Sequence, residues 1–241
     1  MQDLVHQKTC KDLYNSTICA SLDNQANTEA LALVQRGTSH LILSSTVALT
    51  IPSILTVNIL GAYSDMYDRK WPLVVPPVGM TIAVLVYILM ANFDSLPAWL
   101  IIIASLISGL TGGFISIIGD VTSYISATSS EESRTMRVGL VEAASFLSGT
   151  IGPFIGGGIY QATLSHTAVF SAILFCYLSC VAYIVWCVPS IRSSPSASAS
   201  RDNRRFFTCH QVKSSFLTVF KPRPNHRRRN ILLLSICLLV N

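Results

Sequence analysis

Charge is scarce in this sequence. Charged side chains make up 12% of its 241 residues, against roughly 25% in an ordinary soluble domain. Apolar residues make up 51%, and the mean hydropathy is positive. A water-soluble chain so poor in charge would lack the polar groups to cover its surface, so the composition calls for an apolar solvent, the bilayer. Other absences narrow the reading further. The N-terminus MQDLVHQKTC has no apolar core, so no signal peptide is read there. The cysteines are scattered: Cys176, Cys180, Cys187 and Cys237 lie in apolar runs, Cys209 lies in a basic loop, and only Cys10 and Cys19 share a polar segment. None of these spacings fits a metal site or a redox motif. No nucleophile with its base, phosphate loop or metal cluster stands in the chain, so nothing points to an enzyme or a cofactor.

What is present is five long apolar stretches, at 41–60, 72–91, 98–118, 138–160 and 168–188. Each is long enough for a helix across about 30 Å of hydrocarbon. A further apolar run starts near residue 230 and stops at Asn241, too short to span. The alternating ten-residue segments of an outer-membrane barrel are missing. The expected fold is therefore an all-α integral membrane bundle, with five complete transmembrane helices and a truncated sixth.

The net charge is +5, and it sits in loops rather than on one face of a folded domain, so it reads as topology and not as a nucleic-acid footprint. Of seventeen Lys and Arg residues, fourteen fall on one side. They are Arg69 and Lys70, Arg134 and Arg137, and the ten between Arg192 and Arg229. That side is cytoplasmic by the positive-inside rule. Residues 1–40 then form an extracellular or lumenal loop, where the sequon Asn15-Ser16-Thr17 can be glycosylated. Residues 189–229, with their SSPSASAS run, read as a flexible basic cytoplasmic loop.

The first cytoplasmic loop reads GAYSDMYDRK, from Gly61 to Lys70. Gly61 allows a sharp turn, and Asp65 and Arg69 are four apart, close enough to pair on a helical turn. Such a loop can latch neighbouring helices. Gly61, Asp65, Arg69 and Lys70 resemble the loop of the major facilitator superfamily, whose pattern is G-x-x-x-D-R/K-x-G-R-R/K. Met66 and Asp68 depart from it. More specifically, the chain looks like the proton-coupled folate transporter family, solute carrier family 46. The stretch Ser133 to Ala143, the triplet Gly119-Asp120-Val121, the long outer loop with its sequon and cysteines, and the cluster His226-Arg227-Arg228-Arg229 carry that likeness. The resemblance numbers the spans as helices 2 to 6, with helix 7 cut short. It implies that helices 1 and 7–12 would belong to the same protein.

Glu142 sits about one turn inside the fourth apolar stretch of this chain. An ionisable group there is costly and by default functional. The resemblance implies that it couples transport to protons, the proton then being the only coupling ion. The competing reading is a structural carboxylate paired with Arg137 or Arg134. Asp120, at the inner end of the third stretch, is expected to pair with one of the same arginines. The string Gly152-Pro153-x-x-Gly156-Gly157 combines small residues for close helix packing with a proline bend. It also resembles the fifth-helix motif of proton-driven drug antiporters, with Ser148 in place of a glycine. Cys10 and Cys19 are candidates for a disulfide on the oxidising side.

Three functional readings follow. The first is a proton-coupled symporter for small organic anions of the folate kind. The second is a drug or metabolite antiporter, and the third a membrane protein or adaptor that does not transport. The membrane is the plasma membrane or that of a lysosome or endosome. The expected partners are lipid and a small organic anion.

Overall fold

The computed structural model describes residues 2–14, 19, 28–93 and 95–191, with the side chains of Asp65 and Met66 left out. The apolar run expected as a truncated last helix, residues 192–229 of the expected basic loop, and Asn15 lie outside the described residues. Seven helices are described: α1 (Gln2–Leu13), α2 (Thr28–Met66), α3 (Lys70–Asn92), α4 (Leu100–Leu110), α5 (Gly113–Thr128), α6 (Glu131–Thr163) and α7 (His166–Cys187). The described residues contain no strand. Five segments are long and apolar enough to cross a membrane: Thr28–Ser64, Lys70–Asn92, Leu100–Thr128, Glu131–Thr163 and His166–Cys187.

The third span is broken. Between α4 and α5 the backbone turns through Gly112 at φ 97° and Gly113 at φ 62°, a region that glycine enters without steric cost. In hydrocarbon the carbonyls freed by such a break need partners from the protein. The Leu110 carbonyl accepts the Thr56 hydroxyl of α2 at 3.2 Å, and the Gly112 N–H donates to the Gly109 carbonyl at 3.0 Å. The prolines at 52, 76, 77 and 153 leave their helices unbroken.

The core is built by α3, α4 and α7. Ala83, Val84, Tyr87 and Met90 pack with Ile101, Ala104 and Phe170, and the Tyr87 and Phe170 rings lie 5.6 Å apart. By contrast, α6 buries no residue at all.

The first forty residues, expected as an outer loop, instead supply α1 and the first turns of α2. They become helical because they have something to pack on. Leu4 and Val5 of α1 join the core, and Val34 of α2 is fully buried beside Cys10. Lys8, only 3% exposed, donates to the Phe93 carbonyl at 2.6 Å. The Ala98 N–H donates to Asp12 at 3.0 Å, so α1 closes over the turn between α3 and α4. Its far end reaches α7, with Asp3 and His166 3.5 Å apart. A disulfide joins Cys10 to Cys19, nine positions on, with the Cα atoms 5.9 Å apart. Closing a loop of this size constrains the unfolded chain by about 2–3 kcal/mol. Cys19→Ser should lower stability by that order and speed tryptic cleavage at Lys11 from the outer side. Unchanged protection would mean that the packing of Leu4, Val5 and Lys8 alone holds α1.

Candidate functional site

The turn between α2 and α3, expected on the cytoplasmic side, carries a dense set of polar contacts. α2 continues through Gly61 to Met66, so the sharp turn expected at Gly61 falls later, at residues 67–69. The six residues from 61 contain no proline, and nothing lies within 4 Å of a Cβ at Gly61. α3 then starts with Pro72 in its first turn, where proline costs no hydrogen bond.

Each side chain of this turn reaches a different element. Asp68 accepts the Lys70 N–H at 2.9 Å and the Ser190 hydroxyl at 2.6 Å. Arg69 donates through Nη1 to the Ser123 carbonyl of α5 at 2.9 Å and to the Ser123 hydroxyl at 3.3 Å. Its backbone N–H donates to the Ile191 carbonyl at 3.3 Å. The Lys70 ammonium donates to the Val185 carbonyl of α7 at 2.8 Å. From α5 the Tyr124 hydroxyl donates to the Pro189 carbonyl at 3.1 Å. The turn therefore clasps α5 and the exit of α7 together. The expected Asp65–Arg69 pair involves a side chain outside the described set. Asp68, by contrast, gained no role from its sequence position, because its partner Ser190 is far away along the chain.

The clasp yields a prediction. A hydrogen bond to a charged group contributes about 1.5–3 kcal/mol, so Asp68→Gly should free the exit of α7. With a cysteine at Ile191 as reporter, maleimide labelling from the cytoplasmic side should rise roughly tenfold, the factor given by the lower of those energies. Ser190→Ala should produce the same rise. No change in either variant would show that the remaining bonds hold the exit unaided.

The other expected charge pairs do not form. Asp120 is 7% exposed and accepts the Ser116 hydroxyl at 3.0 Å. Arg134 and Arg137 stand exposed on the first turns of α6, and among the described residues no ion pair links either of them to Asp120 or to Glu142. The reason is position. Asp120 faces into the bundle from α5, while the arginines and Glu142 are carried on a helix with no buried face.

The glycine string on α6 is likewise open. A Cβ at Gly152 or Gly157 would meet nothing within 4 Å, and one at Gly156 would only touch Val169 at 3.9 Å. The close approaches lie elsewhere. A Cβ at Gly109 would stand 2.5 Å from the Leu49 carbonyl oxygen of α2, and one at Gly79 would collide with the Thr111 side chain. Pro153 sits in an uninterrupted α6.

A chain of apolar helices, clasped through Asp68, Arg69 and Lys70 between its first two long helices, matches one family description. The model of the Major Facilitator Superfamily covers residues 13–241. The chain belongs to that superfamily. Among curated proteins it is similar to the lysosomal proton-coupled steroid conjugate and bile acid symporter of Gallus gallus, at 23% identity over 97% of this chain and 52% of the relative. It is also similar to the proton-coupled folate transporter of Rattus norvegicus, at 24% identity over 90% of this chain and 46% of the relative. A third relative is solute carrier family 46 member 2 of Canis lupus familiaris, at 24% identity over 68% of this chain. The chain spans about half the length of the first two relatives. A multi-pass membrane protein of a transporter superfamily is the result.

Proposed function

We propose that this protein works in proton-coupled secondary transport of small organic anions, across a plasma membrane or a lysosomal or endosomal membrane. The observation that carries the reading is the likeness along nearly the whole chain to a symporter and a transporter whose names state proton coupling, inside a superfamily match over residues 13–241. The broken third span supports it, since discontinuous helices line substrate and ion sites in secondary transporters. The uncovered α6 fits a bundle in which further helices pack on that side, in the arrangement of two bundles around a central site. Glu142 lies on that helix and carries the coupling in this reading.

The test is uptake of labelled folate and of a labelled steroid conjugate into cells expressing the protein, at acidic and neutral outer pH. Acid-stimulated accumulation of either compound is expected. Proton-linked efflux in place of uptake would favour the antiporter reading, which rests on the Gly152-Pro153-x-x-Gly156-Gly157 string. No pH-linked flux in either direction would favour a membrane protein that does not transport.

A further inference from the structure

Asp120 is placed differently from every other described carboxylate. It lies in α5, within the span Leu100–Thr128, and is 7% exposed. It accepts the hydroxyl of Ser116, one turn nearer the break and itself only 1% exposed. Ser116 packs closely on the break: a Cβ at Gly112 would stand 2.6 Å from the Ser116 Cβ. The side chain of Ser53 on α2 would come within 3.3 Å of a Cβ at Gly113 and is 4% exposed. Two buried hydroxyls thus lie at the break, and Ser116 links it to Asp120.

The charged groups of the neighbouring elements are engaged elsewhere. Arg69 donates to the carbonyl and hydroxyl of Ser123, about one turn further along α5. Lys70 at the start of α3 donates to the Val185 carbonyl. On α6, Glu131, Glu132, Arg134, Arg137 and Glu142 are exposed. On α2, Glu29, Arg36 and His40 lie towards the opposite, outer end. Among the described residues no ion pair reaches Asp120.

A carboxylate keeps its charge in an apolar place when a cation or two to three N–H donors hold it. One hydroxyl does not suffice, and leaving the charge uncompensated costs several kcal/mol. Taking up a proton is the cheaper state. The neutral acid also fits the geometry, since across the 3.0 Å contact either the Ser116 hydroxyl or the protonated carboxyl can donate. We propose that Asp120 is a second proton-binding carboxyl of this protein, besides Glu142, with its proton held beside Ser116 below the break in the third span. The proposal deepens the proton-coupled reading and rests on it for its purpose, so its test reads proton binding and not flux.

The experiment is infrared difference spectroscopy of the purified full-length protein in lipid, titrated between alkaline and acidic buffer. Wild type should show a protonated-carboxyl C=O band that grows on acidification. Asp120→Asn should remove one component of that band and leave the component that Glu142→Gln removes. Ser116→Ala, which takes away the hydrogen bond to the Asp120 carboxyl, should move the Asp120 component to higher frequency. The proposal is overturned if wild type shows no such band or if Asp120→Asn leaves every component of it unchanged. Should Asp120→Asn fail to fold, Ser116→Ala decides: a shifted band supports the assignment, and an unshifted one overturns it. A protein that carries the band without pH-linked flux would sink the transport reading and leave the proton site standing.

Discussion

Gly109→Ala is expected to lower the melting temperature of the purified 241-residue chain by about 5 °C or more, while Gly152→Ala and Gly157→Ala leave it unchanged or slightly raised. The asymmetry follows from what a methyl group would meet. At Gly109 it would stand 2.5 Å from the Leu49 carbonyl oxygen and 3.0 Å from the Leu49 Cα. Both are backbone atoms of a packed helix, so α2 and α4 must move apart, and overpacking of this kind costs about 1–3 kcal/mol. At Gly152 and Gly157 nothing lies within 4 Å. Alanine there recovers up to about 1 kcal/mol of helix propensity. Light-scattering melts of the three variants in one detergent would read the difference. The same pair of substitutions also probes α6 in a longer protein. If further helices cover it, Gly152→Ala becomes costly in that protein and stays harmless in this chain. Equal losses at Gly109 and Gly152 in the 241-residue chain would mean that α6 packs in a way the structure does not show.

The glycine contrast also marks how far sequence alone could reach. Spanning length and low charge are properties of a continuous stretch, so the five spans and the all-α class were legible from residues 41–188. Contacts between distant residues were not. Gly109 and Gly152 both stand in small-xxx-small spacing, and spacing cannot say whether a neighbour is there. The break at Gly112 and Gly113 was hidden for a similar reason: two adjacent glycines inside an apolar run suit close packing and a turn equally well. The polar first forty residues read as a loop because their helicity depends on Val34, Leu4 and Val5 finding partners, and periodicity there is weak. Arg69 and Lys70 stood out in a motif with Gly61 and Asp65, but their partners Ser123, Val185 and Ile191 did not. Two of the three engage through carbonyl oxygens alone, and any residue type offers a carbonyl oxygen. Asp120 was noticed as an ionisable residue at a membrane boundary. Its lack of a cation depends on which way α5 turns its face.

Glu142→Gln is expected to abolish uphill accumulation driven by a proton gradient while sparing substrate exchange at equal pH. If one proton moves with each substrate, a gradient of one pH unit sustains about tenfold accumulation, the factor that corresponds to ~1.4 kcal/mol. Glutamine keeps the size and hydrogen-bonding reach of glutamate but cannot take up or release the proton, so that factor should fall to about one. Exchange needs only the loaded carrier to reorient, so it tests folding and binding in the same preparation. Glu142 is exposed on α6 in this chain, and α6 buries nothing. The proposed coupling role rests on further segments that cover α6 and take Glu142 out of water. Loss of both accumulation and exchange would instead assign Glu142 to substrate binding or folding. Retention of both would pass the coupling role to another carboxyl, and Asp120, buried already in this chain, would be the next to test by the same pair of assays.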